Sequence, residues 1–143
     1  MDMPVTSKAK ISVKDLNFYY GKFHALKNIN LDIPDRKVTA FIGPSGCGKS
    51  TLLMMVAGLE TATTGAIHIA GERVERPRLQ TGIIFQDPTL LPWKSVLDNV
   101  MFPVHIQGLD EAQHRARAMS LLQMVGLTDF AEKRPHQLSG GMK

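Results

Sequence analysis

The chain has 143 residues, of which 43% are apolar and 21% charged, which excludes a disordered polyelectrolyte and suits a domain with its own core. Seventeen basic residues against thirteen acidic ones give a formal charge of +4. The two signs interleave, as in Glu72-Arg-Val-Glu-Arg76, so no basic stripe marks a nucleic-acid face, and no nucleic-acid partner is expected. The single cysteine, Cys47, excludes an intramolecular disulfide. Residues 1–10 carry Lys8 and Lys10 but no apolar core of a secretory signal. The longest apolar run, near Leu52–Leu59, is far below the roughly 20 residues that cross a bilayer, so a soluble chain is expected, tied to a membrane only through a partner.

In chain order, Ile11, Val13, Leu16 and Phe18 predict a half-buried strand over 11–18. Tyr20-Gly21-Lys22 predicts a turn. Ile29, Leu31 and Ile33 alternate with polar residues and predict a second strand, closed by Pro34-Asp35. The apolar run Val38–Ile42 reads as a buried central strand. A helix is predicted over Lys49–Ala57, stopped by Gly58. Further strands are predicted over Ala66–Ala70 and Gln80–Phe85, after which Asp87-Pro88 breaks the pattern. Two helices follow, Ser95–Gln107, interrupted by Pro103, and Asp110–Val125, whose Ala112, Ala116, Met119, Leu122 and Val125 recur at helical spacing before Gly126. The division is a strand-rich part, 1–86, and a helical part, 87–143.

Between the third strand and the first helix stands Gly43-Pro-Ser-Gly-Cys-Gly-Lys-Ser-Thr51, which has the GxxxxGK[ST] form. Such a loop binds phosphate oxygens with inward-facing backbone amides, so Gly43, Gly46 and Gly48 keep side chains out of the way. The helix behind it presents its positive end, Lys49 adds a point charge for the β- and γ-phosphates, and Ser50 offers a hydroxyl to Mg²⁺. A nucleoside triphosphate with Mg²⁺ is the ligand this predicts. The whole stretch Gly43, Pro44, Ser45, Gly46, Cys47, Gly48, Lys49, Ser50 and Thr51 is the candidate site, with Cys47 a bystander at a variable position. A second motif, Leu138-Ser139-Gly140-Gly141-Met142, could expose further amides at a helix start.

The phosphate loop, Phe85-Gln86 and Leu138-Ser-Gly-Gly141, in this order and spacing, resemble the ATP-binding subunit of an ABC transporter. The resemblance implies an α/β P-loop NTPase domain of the ABC type, with a strand-rich nucleotide-binding core and an α-helical subdomain. It covers nearly the whole chain but only about the N-terminal half of a family domain. It implies that Tyr20 stacks on adenine, with Tyr19 the less favoured platform. Gln86 matches the glutamine that positions Mg²⁺ and the attacking water. Ser139, Gly140 and Gly141 match the signature that caps the γ-phosphate held by a second ATP-binding subunit, in a head-to-tail dimer. The helical part would receive a transmembrane permease subunit, with Trp93 the best contact residue of Leu90-Leu-Pro-Trp93, and the chain would sit on the inner face of the cell membrane.

Residues 16–33 and 38–43 are similar to phosphate-import ATPases, whereas 83–108 look more like nitrate, sulfonate and taurine importers. The implied function is an importer subunit coupling ATP hydrolysis to uptake of a small anion. The family's Asp-Glu strand and switch histidine come after the signature and have no counterpart in residues 1–143; Asp110-Glu111 opens a helix, where acids suit the dipole. Hydrolysis by this chain is therefore left open, the alternative being a non-hydrolysing ATP-binding or subunit-pairing module. A soluble ABC-type ATPase is disfavoured because no long coiled-coil insertion separates Gln86 from Ser139. With neighbours missing from a parallel sheet, the Val38–Ile42 strand is expected to leave apolar surface open.

Overall fold

A computed structural model describes residues 9–143, so most of the stretch 1–10 read above for a signal lies outside the described residues. The chain forms two compact units, one up to Ile83 and one from Ile84 onward.

The first unit is an antiparallel sheet with one helix. Its strands are β1 (Ala9–Tyr20), β2 (Phe23–Pro34), β3 (Thr64–Ile69) and β4 (Glu72–Arg73), in the order β2-β1-β3-β4. The apolar phase of β1 slips between Val13 and Leu16, both of which are fully buried. A two-residue period cannot do this in a regular strand. The pairing with β2 shifts register at that point, and Asp15 takes a φ of 47°. On β2, Asn28 takes a φ of 46°. Side-chain amides satisfy the backbone groups freed there: Asp15 N donates to Asn30 Oδ1 (2.9 Å) and Asn28 N to Asn17 Oδ1 (2.9 Å). Gly65 on β3 lies against this irregularity. A Cβ there would fall 2.4 Å from the Asp15 carbonyl oxygen, so no other residue fits.

The helix α1 (Lys49–Val56) places Leu52 and Met55 on the core made by Val13, Leu16, Phe18, Leu26 and Ile67. Burying each such side chain contributes about 1.5–3 kcal/mol.

Two predicted strands do not form. Val38–Ile42 and Gln80–Phe85 have no ladder partner among the described residues. Val38 is fully exposed, Ile42 is 96% exposed and Ile84 98%. A strand is completed only by neighbours, and every strand of this sheet pairs with a different segment. The sheet is therefore antiparallel throughout, not the parallel one expected around Val38–Ile42.

The second unit is built on α2 (Val96–Gln107) and α3 (Glu111–Met124). Ser95 and Asp98 form a capping box at the start of α2: Asp98 N donates to Ser95 Oγ (3.0 Å) and Ser95 N to Asp98 Oδ2 (3.4 Å). The next open amides are taken by the following chain, Val96 N by Lys133 O and Leu97 N by Ala131 O, both at 2.8 Å. α2 runs through Pro103 instead of breaking there. Asp110 caps α3 by accepting from Gln113 N (2.8 Å).

The core joins Val96, Leu97 and Met101 to Ala118, Leu122, Ala131 and Leu138. The buried stripe of α3 is thus narrower than predicted: Ala112 and Ala116 are exposed, as is Val125. No helix of the described residues is long and apolar enough to cross a membrane.

Candidate functional site

The chain between β2 and β3 turns sharply at Gly46 (φ 79°) and Gly48 (φ 95°), and Gly48 is the N-cap of α1. Glycine is required at Gly48 for two reasons. The left-handed conformation strains any side chain, and a Cβ would lie 2.5 Å from Leu26 Cδ2 on β2. The loop is therefore wedged against the sheet through Gly48.

Helix starts in this protein are handled in two ways. α2 and α3 begin with a side-chain cap and an acidic residue in the first turn. α1 has neither: no side chain caps it and its first turn holds no acid. Of the amides from Ser45 to Thr51, only that of Cys47 finds an acceptor among the described residues, Pro44 O at a long 3.4 Å. The remainder form a concentration of N–H donors at the positive end of a helix, with a compensating anion supplied by nothing in the described residues.

The Lys49 ammonium is folded over this loop. It donates to Gly43 O (2.9 Å) and Pro44 O (2.7 Å), and lies 3.4 Å from Cys47 Sγ. Two carbonyls hold the charge without neutralising it, since no carboxylate pairs with Lys49 among the described residues. Ser50 is exposed, whereas Thr51 is buried with its hydroxyl 3.3 Å from the Tyr20 phenol oxygen. An open cavity of about 340 Å³ flanks the loop, lined in part by Ile29, Phe41, Ile42 and Leu52.

The two tyrosines ending β1 differ. Tyr19 has one ring face covered by His24, stacked at 4.0 Å between centroids and 11° between planes. Tyr20 meets Phe18 edge to face, at 4.8 Å and 86°, which leaves at least one face of its ring uncovered by that contact. The structure thus brings Tyr20 to the phosphate-type loop.

Gln86 and the Ser139-Gly140-Gly141 motif belong to the second unit. Gln86 is exposed in a bend. Ser139 precedes a short 3₁₀ turn, Gly140–Met142, closed by Met142 N donating to Ser139 O (3.1 Å). A Cβ at Gly140 or Gly141 would meet nothing within 4 Å, so no packing in this unit demands glycine there. Leu138 anchors the motif in the core. Trp93 is 68% exposed, while Leu90 and Leu91 are half-buried.

One residue, Asn99, escaped the sequence reading, as did the pairing of the candidate site residue Thr51 with Tyr20. Asn99 organises the segment before α2, accepting from Leu91 N (2.7 Å) and donating to Ser95 O (2.8 Å) and Leu91 O (3.2 Å). Thr51 links the loop helix to Tyr20. Only spacing across the fold reveals either, because both act on residues distant in sequence or masked by ordinary helix composition.

The sequence profile of the ABC transporter family matches residues 26–143. The taurine import ATP-binding protein TauB of Rhizobium johnstonii is 46% identical over 125 residues, covering 87% of this chain and 48% of the relative. The nitrate import ATP-binding protein NrtD of Synechocystis sp. is 42% identical over 137 residues, covering 93% and 52%. Among solved structures, the dimeric ATP-binding cassette MJ0796 bound to ADP and Pi superimposes with a TM-score of 0.78 at 30% identity, over 92% of this chain and 64% of that one. CbiO1 from Clostridium perfringens, part of the complex cbiONQ, gives 0.79 at 33% identity, over 94% and 57%. The chain spans about half the length of the curated relatives it matches. An uncapped glycine loop at the head of α1, in a chain so matched along its length, has one reading: this chain belongs to the ABC transporter family and forms part of its ATP-binding domain, a P-loop α/β fold.

Proposed function

We propose that this chain is the phosphate-gripping part of an ATP-binding subunit that powers the import of a small anion. One observation carries the reading: α1 is the helix whose start has no cap and no acid, and a lysine ammonium lies over it. A polyphosphate supplies the missing negative charge and acceptors. The amides of the 43–51 loop would hold the phosphates, with Lys49 as the point charge. Ser50 and Gln86 would serve Mg²⁺, which when bound neutralises part of the phosphate charge. The Tyr20 ring would carry the adenine.

The anion class rests on relatives whose names specify taurine, sulfate/thiosulfate and nitrate import. On this reading the partners are a transmembrane permease, for which Trp93 offers an exposed contact, and a second ATP-binding subunit. That subunit's γ-phosphate would meet Ser139, Gly140 and Gly141. The place of action is the inner face of the cell membrane.

Binding of MgATP to the full chain, with Lys49→Ala beside it, tests the reading. Loss of charge-assisted hydrogen bonds to phosphate should weaken binding about ten- to a hundredfold. Equal binding by the two proteins refutes the assignment.

A further inference from the structure

Thr51 is the one buried polar residue among the described residues, 9% exposed, beside the exposed Ser50 and the core residue Leu52. Its hydroxyl has the Tyr20 phenol as partner, across 31 positions of sequence, at 3.3 Å. Tyr20 itself is held at a second point, by the edge-to-face contact with Phe18, a core residue. A tyrosine held by its ring alone can swing about χ1 and χ2. One also held by its hydroxyl has a defined tilt and a defined distance from the helix that bears Thr51. Tyr19 has no such tether to α1; its ring is engaged by His24.

We propose that the Thr51–Tyr20 hydroxyl pair sets the position of the Tyr20 ring relative to the phosphate loop, so that base and phosphates are gripped at a fixed separation. Thr51 is then a positioning residue that acts through Tyr20, in addition to any contact of its own with phosphate. The inference rests on the ATP reading above. A ring ordered before the ligand arrives loses less freedom on binding, so the pair strengthens binding of the nucleoside end and not of the phosphates.

The test compares MgATP with Mg-tripolyphosphate, which lacks the base, by titration calorimetry on the full chain. Tyr20→Phe keeps the ring and removes the hydroxyl. It should weaken MgATP about two- to tenfold, the range of one lost hydrogen bond, and leave tripolyphosphate unchanged. In a Thr51→Val background, Tyr20→Phe should cause no further loss, because the partner is already gone. Thr51→Ser, which retains a hydroxyl, should bind MgATP as the parent does. Thermal melts of each variant verify folding. Wild-type MgATP affinity in Tyr20→Phe overturns the proposal, as does an equal loss for tripolyphosphate or a loss that persists in Thr51→Val. If Lys49→Ala weakens binding while Tyr20→Phe does not, this proposal alone falls. If Lys49→Ala also binds like the parent, the ATP reading falls with it.

Discussion

The second unit caps and closes its helices, whereas the first leaves the strand-like segment Val38–Ile42 open. α2 and α3 have capped starts, an apolar seam and a returning chain that takes up the Val96 and Leu97 amides. Most of these bonds join residues close in sequence. The first unit has a well-packed antiparallel sheet, yet its Val38–Ile42 segment carries interior-strand composition and is largely exposed. The difference lies in how each element is satisfied. A helix completes its backbone bonds within itself, while a strand completes them only against another segment.

This contrast can be broken most directly by deletion of core side chains. Leu97, 1% exposed, should lose about 2–5 kcal/mol on Leu97→Ala, whereas Val38→Ser, at a fully exposed position of the first unit, should stay within about 0.5 kcal/mol. Denaturant melts of the two variants check this. A large loss at Val38 would mean that the open segment is packed in solution and the contrast false.

Next in size is Gly48→Ala. Left-handed strain together with the overlap on Leu26 should cost about 1–3 kcal/mol. The cost should appear in thermal melts together with weakened MgATP binding, because the same residue shapes the loop. Full retention of both would show that the wedge between loop and β2 is dispensable.

The smallest effect sharpens the account of the second unit. Ser95→Ala removes the cap of α2 and should cost about 0.5–2 kcal/mol at neutral pH. In the parent, the Ser95 hydrogen bonds hold the Asp98 carboxyl below its usual range, against the opposing effect of burial, with smaller help from Lys94 and His105. A depressed carboxylate contributes stability above its unfolded pKa and loses it as pH falls through the folded one. The gap between parent and Ser95→Ala should therefore be constant at neutral pH and shrink below about pH 4. Chemical denaturation across that range measures it. A gap that widens in acid would contradict the cap assignment.

Much of the site was legible because its chemistry is local. The spacing of glycines, Lys49 and Ser50 specifies a loop that must leave amides open, and α1 begins where that spacing requires. β1 and β2 were legible from their alternation, but not the irregularities at Asp15 and Asn28, which emerge only from pairing. The seam of α3 was misread for a related reason. Ala112 and Ala116 have the right period, yet of α3 only Ala118, Met119 and Leu122 join the apolar core shared with α2. Asn99 looked like an ordinary helix residue and proved to brace the segment from Leu91 to Ser95.

Residue order alone determined where the helices start and stop, which loop collects N–H donors, and which family the motifs resemble. Caps, glycines and helical periods act over a few neighbouring residues. Tertiary structure alone decided that Val38–Ile42 has no strand partner among the described residues, that Gly48 is wedged on Leu26, and that the Tyr20 hydroxyl reaches Thr51. Each of these depends on segments far apart in the chain coming together, and sequence spacing carries no measure of that distance.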